Sequence, residues 1–136
     1  MTTFDDFKAD LALFDDWEDR YRALIDLGRT LEPLPEAARN EANKVRGCSS
    51  QVWLTAEPAA GGALHLRGDS DAHIVRGLVA LLFLLYQDRT PDEIRGIDAR
   101  ARLAELGLAG HLSPTRTNGL YSMVERIRAM AAEGTA

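Results

Sequence analysis

One apolar run constrains this chain more than any other feature. "GLVALLFLLY", Gly77 to Tyr86, is ten residues long and carries no charge. A helix that crosses a bilayer needs ~20 such residues, so the run reads as a buried helix. Apolar side chains continue almost all round it from Ile74 to Leu85. Such a helix has no polar face and must be surrounded on every side. The rest of the chain has to supply those surroundings. Its 136 residues suffice for one domain, residues 1–136, with its own core. The balance of 46% hydrophobic and 27% charged residues is that of an ordinary globular protein.

The flanking segments divide cleanly. Phe4, Phe7, Leu11 and Phe14 recur at helical spacing, as do Trp17, Tyr21, Leu24 and Leu27. Asp15 and Asp16 separate these two helices, and Gly28 suits the end of the second. Seven acids fall between Asp5 and Asp19 with Lys8 the only base. They read as a solvated face before they read as an acidic docking surface. "EPLPEAARN" is a proline-punctuated connector. "SQVWLTAE" and "GALHLRG" alternate as strands around the hairpin loop "PAAGG", and "NKVRG" can add a short strand. Ser70 or Asp71 is a natural N-cap for the apolar helix. Short helices follow in "TPDEIRG" and "DARARLAELGL". Ser113 then caps a last helix with Pro114 in its first position and Leu120, Val124, Ile127 and Ala131 as its inner stripe. Helices, a small antiparallel sheet and more helices make an α+β arrangement.

A net charge of −5 argues against a nucleic-acid partner. "MTTFDDFKAD" has neither the basic nor the apolar region of a secretory signal. One cysteine allows no internal disulfide, so a cytoplasmic location away from membranes is expected.

That cysteine, Cys48, lies in "NKVRGCSSQVWL". A small buried hydrophobe is the plain reading of a free cysteine. Gly47, Ser49, Ser50 and Gln51 are poor core neighbours, however, and the glycine implies a tight, adjustable loop. Structural zinc needs about four Cys or His ligands, and His65, His73 and His111 lack metal spacing. A dithiol oxidoreductase needs a second cysteine. A cysteine hydrolase needs a neighbouring base, and three histidines keep that open. The fourth use is sulfur carriage, in which a thiolate takes the outer sulfur of a donor persulfide. It needs an accessible thiol and electropositive help, which Lys44 and Arg46 can supply. A lone thiol suits a carrier, because a second one would discharge the persulfide.

The chain resembles the SufE family, the cysteine desulfuration proteins of iron–sulfur cluster assembly. The likeness rests on "GCSSQVW" (Gly47–Trp53), "GDSDAHIVRGLVALL" (Gly68–Leu82), "HLSPTRTNGL" (His111–Leu120) and "DWEDRY" (Asp16–Tyr21). Ser49 stands where the family often has glutamine, with no evident chemical consequence. The resemblance implies the α+β fold shared with IscU-type scaffolds. It implies that Cys48 accepts sulfur from a SufS-type cysteine desulfurase, stimulates that enzyme, and passes sulfur to a SufB-containing scaffold complex. The chain would then be a carrier and activator, not an enzyme on its own. Pyridoxal phosphate belongs to the partner, so no cofactor and no metal are expected here. Neither Lys8 nor Lys44 has the context of a Schiff-base lysine. Within the "DSDA" motif, Asp71 would hold the cysteine loop in a sheltered position, or act as a plain helix cap. Arg116 would steer the persulfide anion or contact the desulfurase, or form a structural ion pair. Trp53 reads as core packing. A CsdE-like acceptor for another desulfurase and a stand-alone cysteine hydrolase are the alternatives.

Overall fold

The computed structural model describes residues 2–108 and 110–133. Six α-helices and one two-stranded sheet follow in the order α1 (Phe4–Ala12), α2 (Trp17–Gly28), β1 (Val52–Pro58), β2 (Leu64–Ser70), α3 (His73–Tyr86), α4 (Pro91–Gly96), α5 (Ala99–Ala104) and α6 (Pro114–Glu133). The α+β expectation holds. The apolar run is α3, and Leu78, Val79, Leu81, Leu82 and Tyr86 are at most 1% exposed.

Each helix start has a local cause. Thr3 with Asp6 and Thr90 with Glu93 form capping boxes at α1 and α4, and Pro91 opens α4. The Asp16 carboxylate accepts from Glu18 N–H at α2. Ser113 Oγ accepts from Arg116 N–H at α6, as its sequence position implies. The start of α3 differs from expectation. Its N-cap is Ala72, with no side-chain cap, because Gly68–Ser70 continue β2 instead of opening the helix. Ser70 Oγ accepts from Ala72 N–H, and Asp71 points elsewhere.

β1 and β2 pair antiparallel from Val52↔Ser70 to Pro58↔Leu64, around a turn in which Gly61 and Gly62 have positive φ. Val52, Leu54, Leu64 and Leu66 face the core, and β2 packs on α3. Both sheet edges are partly covered, which blunts their tendency to pair with other chains. Val45 N–H donates to Val52 O (2.8 Å) and Leu54 N–H to Asn43 O (2.9 Å) along β1. "NKVRG" is therefore a bridge, Lys44↔Trp53, instead of a full strand. Along β2, the Gln87 amide takes the place of a backbone partner, bonding both N–H and C=O of Leu66.

Two aromatic expectations need correction. Trp53 lies half-buried on the outer face of the sheet, with the Arg39 guanidinium 5.3 Å from its ring, because it sits one residue out of phase with Val52 and Leu54. Phe14 falls beyond the end of α1 and is 37% exposed, off the stripe of Phe4, Phe7 and Leu11.

α2 and α3 make the closest helix contact. A Cβ on Gly77 would lie 2.2 Å from Leu24 O, and one on Gly28 would lie 2.7 Å from Gly77 N. Gly28 thus serves close approach and not a left-handed cap. One buried cluster draws side chains from all six helices and both strands.

Candidate functional site

The bridge between Lys44 and Trp53 and the Val45–Val52 hydrogen bond pinch off a short loop, residues 46–51, at the end of β1. Gly47 turns that loop with φ +86°, a left-handed conformation that side-chain-bearing residues rarely adopt. A Cβ there would also meet Ser122 Oγ at 2.6 Å, so the loop lies directly on α6. One turn earlier on α6, Gly119 receives Cys48. The thiol donates to Gly119 O across 3.6 Å, and a Cβ on Gly119 would sit 3.5 Å from Sγ.

The thiol is half-sheltered. Its berth has apolar walls from Val75, Leu78, Leu120 and Met123 and a polar rim that includes Thr115 and Arg116. The free volume there is about 10 Å³, room for about one water molecule. Burial pushes the Cys48 pKa up, and no cation offsets it. The folded-in thiol is therefore protonated and a poor nucleophile.

The residues singled out from the sequence divide into two groups. Gly47 and Arg116 are at the thiol. Asp71 holds the far side of the loop. Its Oδ1 accepts from Gln51 N–H (3.0 Å), and its own N–H donates to Gln51 O (3.3 Å). This reciprocal pair clips the loop's exit to the entry of α3. Arg46 is not brought to the sulfur. It is exposed and bonds Glu41 Oε2 at 3.0 Å. Arg116 has no ion pair among the described residues, and its side chain is exposed on the rim.

No histidine partners the thiol. His65 lies between Glu32 and Asp88, His111 stacks on Trp17 with ring centroids 3.7 Å apart, and His73 is exposed at the first position of α3. The general base that a cysteine hydrolase needs is thus not in place. Among the described residues, no group of three or more His, Cys, Asp or Glu could hold a metal ion. No helix among them is long and apolar enough to cross a membrane.

Sequence reasoning overlooked Gly119 and Ser122. The signal was available for Gly119: a glycine inside a helix costs about 1 kcal/mol relative to alanine, so "TNGLY" implied a close neighbour.

Comparison with known proteins gives the family. The SufE profile, described as an Fe-S metabolism associated domain, matches residues 5–131. The chain belongs to the SufE family. An uncharacterized SufE-like protein of Rhizobium meliloti (strain 1021) is 47% identical over 135 residues, covering 96% of each chain. Another from Rhizobium etli is 47% identical over 131 residues, covering 94% of this chain and 88% of its relative. The solution structure of a hypothetical protein from Thermus thermophilus shares the fold, with a TM-score of 0.74 at 22% identity over 95% of both chains. SufE membership ties the chain to iron–sulfur metabolism as a sulfur acceptor that works with a cysteine desulfurase.

Proposed function

We propose that Cys48 carries sulfur as a persulfide, taken from a SufS-type cysteine desulfurase and passed to a SufB-containing scaffold complex. The observation that carries this reading is the mounting of the thiol. A single cysteine sits on a glycine-hinged loop, shallowly berthed on α6 and clipped at its exit by Asp71. No resident base would make it a hydrolase.

The step balances without an external oxidant or reductant. Cys48 thiolate attacks the outer sulfur of the donor's persulfide. A new S–S bond forms on Cys48, the donor's S–S bond breaks, and the donor leaves as thiolate. The proton lost from Cys48 can return to that leaving thiolate. The protonated, berthed thiol is unreactive, so the loop must swing out before the attack. Gly47 supplies the hinge, release of the Gln51–Asp71 pair frees the exit, and Arg116 on the rim pairs with the transient thiolate or persulfide anion. Extraction of sulfur from cysteine requires pyridoxal phosphate, which we assign to the desulfurase, so this chain needs no cofactor for its part. A cytoplasmic site of action follows from a thiol that must stay reduced.

The test is a desulfurase assay with and without the protein, followed by intact mass spectrometry after alkylation. Cys48 should gain a reducible adduct of about 32 Da, one sulfur atom, only in the presence of desulfurase and cysteine. Cys48→Ser should fold normally and give no stimulation. Wild-type sulfide release with Cys48→Ser under reductant would sink the carrier reading. Activity on a small substrate without any partner would favour the hydrolase.

A further inference from the structure

His65 stands on the outer face of β2, and each of its ring nitrogens faces a carboxylate. Nε2 lies 2.5 Å from Glu32 Oε1, and Nδ1 lies 2.9 Å from Asp88 Oδ1. A neutral imidazole has one N–H and can donate to only one of them. Serving both acceptors requires the doubly protonated ring.

The two acids come from separate parts of the chain. Glu32 lies in the segment that leaves α2 toward the Cys48 loop. Asp88 lies in the turn after α3, with φ +56°, the only non-glycine residue with positive φ among those described. That turn is laced to β2, through Asp88 N–H to Leu64 O (3.1 Å) and Leu64 N–H to Arg89 O (2.9 Å). Three segments therefore meet at one ring.

We infer that Glu32, His65 and Asp88 form a proton-operated clamp. The imidazolium ties the α2 exit and the α3–α4 turn to β2, and loss of its proton releases one of them. Glu32, Asp88 and Arg67 lie on the rim of a cleft of about 1090 Å³, whose floor includes Leu31, Leu66, Phe83 and Leu84. Opening the clamp loosens that rim. The site is separate from the Cys48 berth, and the two share no lining residue.

The surrounding charges favour the closed form. Glu57 is the cross-strand partner of His65 on β1. Arg67, on the same face of β2, is drawn to Glu32 (3.5 Å) and Glu57 (3.9 Å). Arg89, beside Asp88, turns toward Glu93 (3.9 Å). Around the ring, three acids thus outweigh the one nearby cation. The bond to Asp88 is the main cause that holds the His65 pKa above the usual histidine value, with Glu32 adding to it and burial opposing. For a raised histidine pKa, the stabilisation is complete below the ordinary pKa and is lost as pH rises through the folded value. The clamp thus holds fully below the ordinary histidine pKa and yields as pH rises through the folded value.

The test is a histidine titration by NMR, with hydrogen exchange as its mechanical readout. The chain has three histidines, so the imidazole signals are few. His65 should show both nitrogens protonated below its midpoint, and that midpoint should lie above the ordinary histidine value of about 6.5. Asp88→Asn should weaken its proton affinity by roughly tenfold. Protection of residues 30–34 and 86–89, corrected for intrinsic rates, should fall about threefold or more between about pH 6 and about pH 8.5, on either side of the histidine range. In His65→Gln that pH dependence should vanish. If this variant does not fold, Glu32→Gln keeps the ring and should remove the same dependence at the α2 exit. A His65 midpoint at or below the ordinary histidine value of about 6.5 would overturn the clamp. So would wild-type pH dependence in both variants.

Discussion

Glycines do opposite work at the α2–α3 seam and at the Cys48 loop. At the seam, the absent side chains of Gly28 and Gly77 bring backbone against backbone, and a Cβ at Gly77 would stand 2.2 Å from Leu24 O. At the loop, a Cβ on Gly119 would stand 3.5 Å from Cys48 Sγ, an ordinary van der Waals distance. The seam is filled and buried. The loop rests on α6 through a weak S–H···O contact and a shallow berth, and Asp71 clips its exit to the entry of α3. Such loosely held segments open locally at far lower cost than the core. A carrier needs this division, with a frame that does not move and a thiol that does.

The seam can be broken outright. Gly77→Ala forces a methyl into the Leu24 carbonyl, and both neighbours are backbone that cannot rotate away. The expected loss is about 3 kcal/mol or more, read as a lower urea midpoint with an unchanged slope. A stability loss near zero would show that α2 and α3 shift apart freely. Gly47→Ala tests the other side of the comparison. Ser122 Oγ can turn aside, so the cost comes from φ +86° and should be about 1–2 kcal/mol. Adding Ser122→Ala should recover little of it. Full recovery would mean that the clash, not the turn, fixes the loop.

The frame was largely legible in the sequence. The charge-free run could only be a surrounded helix, the alternation of "SQVWLTAE" could only be a half-buried strand, and the cap at Ser113 is local chemistry. Pairings between distant segments were not legible. β2 extends through Gly68 to Ser70 because these residues pair with Leu54, Trp53 and Val52 of β1, and that pairing cannot be seen in "GDSDA" alone. Asp71 resembled a helix cap, yet its carboxylate goes to Gln51, twenty residues away. Arg46 seemed useful because it is two residues from Cys48 in sequence, but its guanidinium bonds Glu41. Gly119 and Ser122, which actually receive the loop, come from α6.

Smaller effects should separate mobility from stability. Asp71→Ala removes the acceptor for Gln51 N–H at an exposed position, and should cost about 1 kcal/mol. Its larger consequence should be kinetic. Alkylation of Cys48 should quicken several-fold as the loop leaves its berth more often, and Asp71→Arg should quicken it further. Unchanged alkylation in both variants, with intact circular dichroism, would show that Asp71 is not the clip.

The smallest effect lies in the titration of the thiol itself. Burial disfavours the thiolate, so native Cys48 should react with iodoacetamide along a pH profile displaced above the ordinary thiol midpoint of about 8.5. In urea the profile should return to that midpoint. Asp71→Arg should move it part of the way back, since a thiol that spends more time outside the berth is better solvated. The linked stability change has a definite sign. An acid whose folded pKa is raised keeps its full contribution below the unfolded pKa and loses it as pH rises through the folded value. Wild-type stability should therefore fall slightly more steeply than that of Cys48→Ser at alkaline pH, while the two run parallel at neutral pH. A native profile at or below the ordinary midpoint would mean that a cation reaches the sulfur after all. The berth would then activate the thiol instead of sheltering it, and the contrast with the seam would lose its meaning.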